Sequence, residues 1–229
     1  MSRQLYAHRR LDAIAARWDA RAASWDADLA DPACHLNDDH AYQRFLQIVR
    51  RLISRRRAFC ARHGVIDAGC GTGLVLAEVL PHFAWGLGLD LSPEMVRRAR
   101  AKRLAGAKFK VADCFSCRSC PRRAGAVLSR GVLLSHYGRA HAAQFLTAAR
   151  SALLPGGFLV ADFLNAAARS AHRHAPGNKT WFRAAHIKSM ALEAGFAQAR
   201  ILGAPSRRCL VLLAVTALHP APHSPPVSS

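Results

Sequence analysis

No run of 18 or more apolar residues occurs in this chain of 229 residues, so no membrane-spanning helix is expected. The longest apolar stretch, Cys209 to Leu218, is interrupted only by Thr216 and predicts a buried strand. A secretory apolar region is also lacking at the start. The arginine-rich opening carries Asp12, Asp19, Asp26 and Asp28, whereas transit peptides avoid acids, so the expected location is cytoplasmic. Aromatic residues are scarce at 7%, which argues against an aromatic platform for single-stranded nucleic acid. Acidic residues are scarcer still: 14 against 33 Lys and Arg, for a formal charge of +19. Such a balance attracts acidic partners. The cations are spread along the chain rather than gathered in one block, as in a solvated arginine-rich surface. Seven cysteines, an odd number without a secretion signal, predict free thiols.

Apolar residues are plentiful, at 51%, and the length suits one α/β domain with a helical extension. We find no internal repeat. Residues 1–58 predict an N-terminal helical lid, with helices over Ala7–Leu29 and Asp39–Arg57 separated by Asp31-Pro32. Trp18 and Trp25, seven apart, fall on one face of the first. Tyr42, Phe45, Leu46, Val49 and Ile53 form the apolar stripe of the second. Residues 59–218 alternate strands and helices. Strands are expected at Val65–Ala68, Trp85–Leu91, Ala107–Ala112, Ala126–Ser129 and Phe158–Asp162. The last follows a tight Pro155-Gly156-Gly157 turn. Helices are expected at Arg139–Leu154 and, capped by Thr180, at Trp181–Ala194. Strands Ala199–Leu202 and Cys209–Leu218 close a hairpin. This order predicts an α/β, Rossmann-like, doubly wound and mainly parallel seven-stranded sheet, with the helical lid before it and the antiparallel hairpin after it. The proline-rich residues 219–229 predict a disordered tail.

The segment Val65-Ile66-Asp67-Ala68-Gly69-Cys70-Gly71-Thr72-Gly73 carries the strongest chemical signal. An apolar strand runs into glycines that let the backbone turn and a ligand approach. The first N–H groups of the next helix stay free to meet that ligand. A dinucleotide fingerprint reads G-x-G-x-x-G. Here the pattern is G-x-G-x-G with an aspartate just before it, which suits an ammonium group better than a pyrophosphate. Asp90, 21 residues after Gly69, ends the second strand, where a carboxylate accepts ribose hydroxyls. Asp113 ends the third strand, within reach of an adenine amine. Three carboxylates thus follow three successive strands at the ligand-binding edge.

These motifs, D-A-G-C-G-T-G, G-L-D-L-S-P-E-M, A-D-C and L-L-P-G-G in order over residues 62–162, resemble the class I S-adenosylmethionine (SAM)-dependent methyltransferase superfamily. The resemblance implies SAM as cofactor. It places Asp67, Gly69, Cys70, Gly71 and Gly73 at the methionine end and Asp90 on the ribose. Leu91 and Met95 would flank the adenine, Asp113 and Cys114 meet its edge, and the backbone of Ser129 and Arg130 border the methionine part. Members often carry an aspartate just before the fourth strand; here Gly125 stands there.

SAM brings its own leaving group, so the enzyme chiefly aligns a nucleophile and, where needed, removes its proton. His136 is the candidate base and Tyr137 the candidate orienting group, on the segment after the fourth strand; the alternative for His136 is an ordinary polar helix end. Asp162 and Asn165, after the fifth strand, complete the catalytic candidates. Arg130 is a candidate carboxylate clamp, or else a surface ion pair. Trp18, Trp25 and Tyr42 could face the sulfonium or pack in the core. The polar run Asp31–His40 is a candidate site lining. Cys114, Cys117 and Cys120 lack a nearby fourth ligand and read as loop thiols, not a metal centre; His172 and His174 read as solvated, or as facing an acidic substrate, rather than metal-bound.

Three functions compete. The first is methyl transfer to a small molecule, with secondary metabolism as the expected setting, where the basic loop Asn165–Lys179 would admit an acidic acceptor. The second is SAM cyclisation. D-P-x-x-H-L-N-x-D at Asp31–Asp39 and S-R-G-V-L-L-S-H-Y-G at Ser129–Gly138 look somewhat like azetidine-2-carboxylate synthases, which release methylthioadenosine. The third, motivated by the +19 charge, is modification of RNA. No N-P-P-Y/F motif of base methylation is present. The sequence fixes neither the acceptor nor the oligomeric state.

Overall fold

Short apolar runs that end at glycine or at an acid build the sheet. A computed structural model describes residues 3–31, 41–171, 177, 179–203 and 208–214, with backbone alone at 3–10, 171 and 208–214. Strands β1 (Gly64–Ala68), β2 (Trp85–Asp90), β3 (Ala107–Val111), β4 (Ala124–Ser129) and β5 (Leu153–Leu164) run parallel, in the order β3-β2-β1-β4-β5. Every residue of β1 and β4 is buried, as a strand covered on both faces requires. β7 (Arg208–Ala214) pairs antiparallel with β5, and β6 (Gln198–Leu202) pairs antiparallel with β7 at the sheet edge.

Alternation divides the core into two faces. Ile66, Ala68, Val127 and Leu159 point to one side and pack with Phe145 and Leu146 of helix α7 (Arg139–Ala152) and Ile187 of α8 (Ala184–Glu193). Val65, Ala126, Leu128 and Val160 point to the other. They meet Phe45, Val49 and Ile53 of α3 (Ala41–Arg55). The α3 stripe therefore buries as its spacing predicts, with Tyr42 half-buried at its start. Each side chain so buried contributes about 1.5–3 kcal/mol relative to exposure.

The N-terminal region differs from expectation. Ala7–Leu29 is not one helix: α1 (Arg3–Arg21) and α2 (Trp25–Ala30) are separated by a turn at Ala22–Ser24. Asp28 stabilises the break by accepting from the Ser24 hydroxyl (3.1 Å) and pairing with Arg21 (3.3 Å). Trp18 and Trp25 thus sit on different helices and meet edge to face, with centroids 5.2 Å apart. The second predicted helix is α3, and an unexpected short helix, α4 (Arg57–Arg62), follows it. Pro155-Gly156-Gly157 lies inside β5 rather than before it, and β5 runs past Asp162 to Leu164. Helix α8 starts at Ala184, so Thr180 is not its cap; the Thr180 N–H donates to the Ser135 carbonyl instead. The 219–229 tail, residues 32–40 of the polar connector, and His172 and His174 lie outside the described residues. No helix among the described residues is long and apolar enough to cross a membrane.

Gly125 explains its own departure from the family phrase. A Cβ there would stand 3.0 Å from His63 Cβ and from the Phe59 ring of α4. The position trades an acid for close packing of α4 on the sheet.

In a doubly wound sheet the ligand crevice opens where strand order reverses, outside the carboxyl ends. Here that point lies between β1 and β4. Helices α5 (Leu74–Val79) and α6 (Pro93–Ala101) follow β1 and β2; α6 supplies Met95 to one wall, and α1 and α2 form the roof.

Candidate functional site

A narrow cleft, with a cavity volume of about 70 Å³, opens at the reversal point. Its floor is the glycine turn. Gly69, Gly71 and Gly73 have φ of +76°, +53° and +81°, a region that side chains with a Cβ enter at a cost. This conformation lets Gly71 turn its N–H outward to Asp90 Oδ2 (2.8 Å), while Ser92 N–H donates to Asp90 Oδ1 (2.9 Å). The carboxylate of Asp90 thereby couples the end of β2 to the turn after β1. Burial raises its pKa, and the two N–H donors oppose that rise. Each oxygen keeps lone-pair capacity for a further hydroxyl donor.

Seven of the residues assigned to the cofactor line this cleft: Gly69, Gly71, Asp90, Leu91, Met95, Cys114 and Arg130. The other five do not. Gly73 begins α5, and Cys70 is buried in the core with its thiol toward the Gly71 carbonyl. Asp113 caps the 3-10 turn Cys114–Ser119, accepting from the N–H and hydroxyl of Ser116. Asp67 and Ser129 lie buried at the ends of β1 and β4. Asp67 Oδ2 and Ser129 Oγ have no hydrogen-bond partner among the described residues. Burial, and then the neighbouring Asp90 charge, push the Asp67 carboxyl up to about 7. An unsatisfied carboxylate oxygen beneath a glycine turn is an acceptor in want of a cation. The residues present therefore fit an adenosyl group bearing an ammonium: apolar Leu91 and Met95 for a base, Asp90 for a diol, and Asp67, buried beneath the turn, as a negative charge near the amine.

Of the catalytic candidates, His136 and Tyr137 line the cleft; Asp162 and Asn165 do not. The His136 ring lies parallel to Trp18, within 5° and 5.9 Å between centroids. Tyr137 is buried, its hydroxyl 3.1 Å from Cys114 Sγ, and burial raises its pKa. Asp162 is buried and occupied: it accepts from the N–H groups of Gly131 (3.1 Å) and Val132. Val132 is held at φ +61°, so Asp162 fixes the sharp loop that delivers Arg130 and His136. Asn165 Oδ1 accepts from Ala167 N–H (3.1 Å) in a buried bridge to Phe182. In the structure these two side chains support the loops beneath the cleft.

Trp18 and Trp25 line the roof together with Ile14, and Arg21 lies over both indoles at about 6 Å. Tyr42 instead carries Arg130 over its ring at 5.0 Å. Cys114 and Cys117 are buried and Cys120 half-buried; burial pushes the first two thiols up to about 12. Thiols so raised stay protonated at neutral pH and are poor nucleophiles.

Sequence reasoning missed Ile14, Leu89, Ala112, Gly131 and Leu133 in the lining, ordinary apolar or turn positions with no chemical signature. It also missed Asp19. This side chain, on α1, accepts from the Ser92 hydroxyl and from Glu94 N–H (3.0 Å) at the start of α6. A separation of 73 residues leaves no local pattern to read.

Residues 65–157 match the family model described as a methyltransferase domain. No curated protein matches the chain. Among solved structures, the magnesium protoporphyrin IX methyltransferase of Synechocystis PCC 6803 with bound S-adenosylhomocysteine (SAH) is similar at 17% identity. It covers 90% of this chain and 100% of that one, with a TM-score of 0.67. A SAM-dependent methyltransferase from Clostridium acetobutylicum ATCC 824 is 14% identical over 85% and 99%, with a TM-score of 0.67. The sugar N-methyltransferase KedS8 from Streptoalloteichus sp ATCC 53650 is 22% identical over 73% and 85%, with a TM-score of 0.58.

Proposed function

We propose that this chain is a class I SAM-dependent methyltransferase that transfers a methyl group to a small-molecule acceptor seated in the cleft under the Trp18 and Trp25 roof, beside His136. The observation that carries the reading is the cleft itself. Its inner part matches an adenosyl group, and its outer part is roofed by aromatic and aliphatic side chains. A narrow cleft roofed by side chains suits a small acceptor better than a folded macromolecule. Two of the similar structures are named for small acceptors, a metalloporphyrin and a sugar.

When bound, SAM supplies an activated methyl group. The chain does the rest. Asp90 would hold the ribose hydroxyls, and Leu91 and Met95 would flank the base. Asp67 would supply a negative charge near the ammonium, and the Trp18 and Trp25 faces favour nearby positive charge. The roof excludes water. His136, on the loop held by Asp162, removes the acceptor's proton as the acceptor attacks. Arg130 stands across the cleft as the partner for a carboxylate, on the acceptor or on the cofactor. Cytoplasmic location and a place in secondary metabolism remain part of the same proposal.

The test is mass spectrometry of the purified protein with SAM alone, then with metabolite extract. SAH formed only with extract is the expected result and opens the search for the acceptor. Methylthioadenosine formed from SAM alone would replace this reading with the cyclase. Salt-sensitive RNA binding with RNA-dependent SAH formation would replace it with RNA modification.

His136→Gln is expected to lower turnover on the recovered acceptor by about a hundredfold or more, the usual scale for a lost general base. SAM affinity should stay within about twofold, read by calorimetry. Full activity would remove His136 from the mechanism.

Asp67 makes SAM binding depend on pH. Its carboxyl titrates at about 7 in the free protein, and an ammonium partner favours the ionised form. Below that value, binding must expel a proton. Affinity is therefore expected to rise by roughly tenfold from pH 6 to pH 8, following the ionised fraction. Calorimetry at pH 6 in two buffers of different ionisation enthalpy should report proton release. Proton-neutral binding would place the ammonium elsewhere.

A further inference from the structure

Thr72 sits between two glycines of the turn, 1% exposed, and is gripped at both ends. Its hydroxyl donates to Asp26 Oδ1, and its carbonyl accepts from Lys102 Nζ at 2.7 Å. Lys102 Nζ also reaches Asp26 Oδ2 at 2.7 Å, closing a three-membered node. Each member belongs to a different element. Asp26 lies in the first turn of α2, Thr72 in the glycine turn, and Lys102 directly after α6. The same three elements supply Trp25, Gly71 and Met95 to the cleft, and a Cβ on Gly71 would stand 3.4 Å from Trp25 Nε1 and 3.8 Å from Met95 Sδ.

We propose that Asp26 and Lys102 are positioning residues that latch the α2 roof across the glycine turn and so set how long the cofactor stays in the cleft. The inference rests on the cofactor site and is independent of the acceptor.

The rest of the lid has the build that a latch needs. Asp19 fastens α1 separately, to the start of α6. Between the two fastenings lies the break at Ala22–Ser24, the place where α2 can pivot while α1 stays docked. The Asp26 side chain is 47% exposed and that of Lys102 26%, so water competes for their ion pair. Such pairs are weak, and a roof that must open each turnover requires a weak fastening. A purely structural reading treats the node as one more surface ion pair. It predicts no link between this pair and cofactor exchange.

The experiment is stopped-flow release of SAH from the full chain, followed by tryptophan fluorescence, since Trp18 and Trp25 sit in the roof. Asp26→Asn and Lys102→Met should each raise the SAH off-rate by about twofold to fivefold, the scale of a partly exposed charged contact. The double variant should add little, because both remove the same node. Asp26→Glu, which keeps the charge, should recover part of the effect. Raising salt should speed release from the wild type but not from Asp26→Asn. As control, Arg50→Ala breaks a comparably exposed ion pair with Glu78 away from the roof and should leave release unchanged. Unchanged off-rates in both single variants would overturn the latch. So would an equal rise in Arg50→Ala, which would mark the effect as general loosening. A wild-type protein that binds no SAH would overturn the cofactor site and the latch with it.

Discussion

Gly71→Val is expected to lower SAM affinity by at least a hundredfold, about 2.7 kcal/mol, in a protein that still folds. Two costs meet at this position. The backbone stands at φ +53°, where a residue with a Cβ pays about 1–2 kcal/mol and a β-branched one more. The space is also taken: the first added carbon would already lie 3.4 Å from Trp25 Nε1, before either methyl is placed. The chain has two ways out. The turn can relax to negative φ, which withdraws the Gly71 N–H from Asp90 and misplaces the ribose acceptor. Or the roof can lift off, which opens the cleft to water. Either destroys the site. Neither reaches the core under α7, where Phe145 and Leu146 remain buried. Calorimetry with SAM and a thermal melt of the same sample check the result. Retained affinity would take the turn out of the site.

What was legible in the sequence was what depends on neighbours along the chain. Alternating apolar runs and glycine stops located β1 to β4 to within two residues, because period and punctuation are local. The glycine turn and Asp90 were readable for the same reason: left-handed backbone favours glycine, and the acid follows that turn at a fixed, local spacing. The rest was set by contacts between distant segments. Nothing in Arg21-Ala22-Ala23-Ser24 announces a helix break; Asp28, folding back to Arg21 and Ser24, makes it. Asp162 read as a reacting group because it ends a strand at the active edge. Its oxygens are instead spent on Gly131 and Val132, 31 and 30 residues earlier, so its residue type was right and its partner was not visible. Asp19 and Asp26 are two of several acids in a basic helical stretch. Only the folded lid distinguishes them from Asp12.

Asp90→Ala is expected to weaken SAM binding by more than tenfold, at least about 1.4 kcal/mol, and to move its pH dependence as well. The first effect has two parts. The ribose loses its acceptor, and the Gly71 and Ser92 N–H groups lose the carboxylate that joins the turn to α6. Asp90→Asn separates them. It keeps a carbonyl for one N–H but turns an NH₂ toward the other, so its affinity should fall between wild type and alanine. The fold should survive either change, because the carboxylate removed is one whose ionised form burial already disfavours. The second effect follows from the neighbour. The Asp90 charge is one of the two causes that raise Asp67; burial, the larger, remains. Without that charge the Asp67 carboxyl titrates lower. The pH at which SAM affinity levels off should therefore shift down in Asp90→Ala, and proton release at pH 6 should shrink. Affinity and proton count measured together across pH thus test both carboxylates in one titration. An affinity unchanged from wild type would remove Asp90 from the ribose. A lowered affinity with an unmoved pH profile would keep Asp90 there and break its link to Asp67.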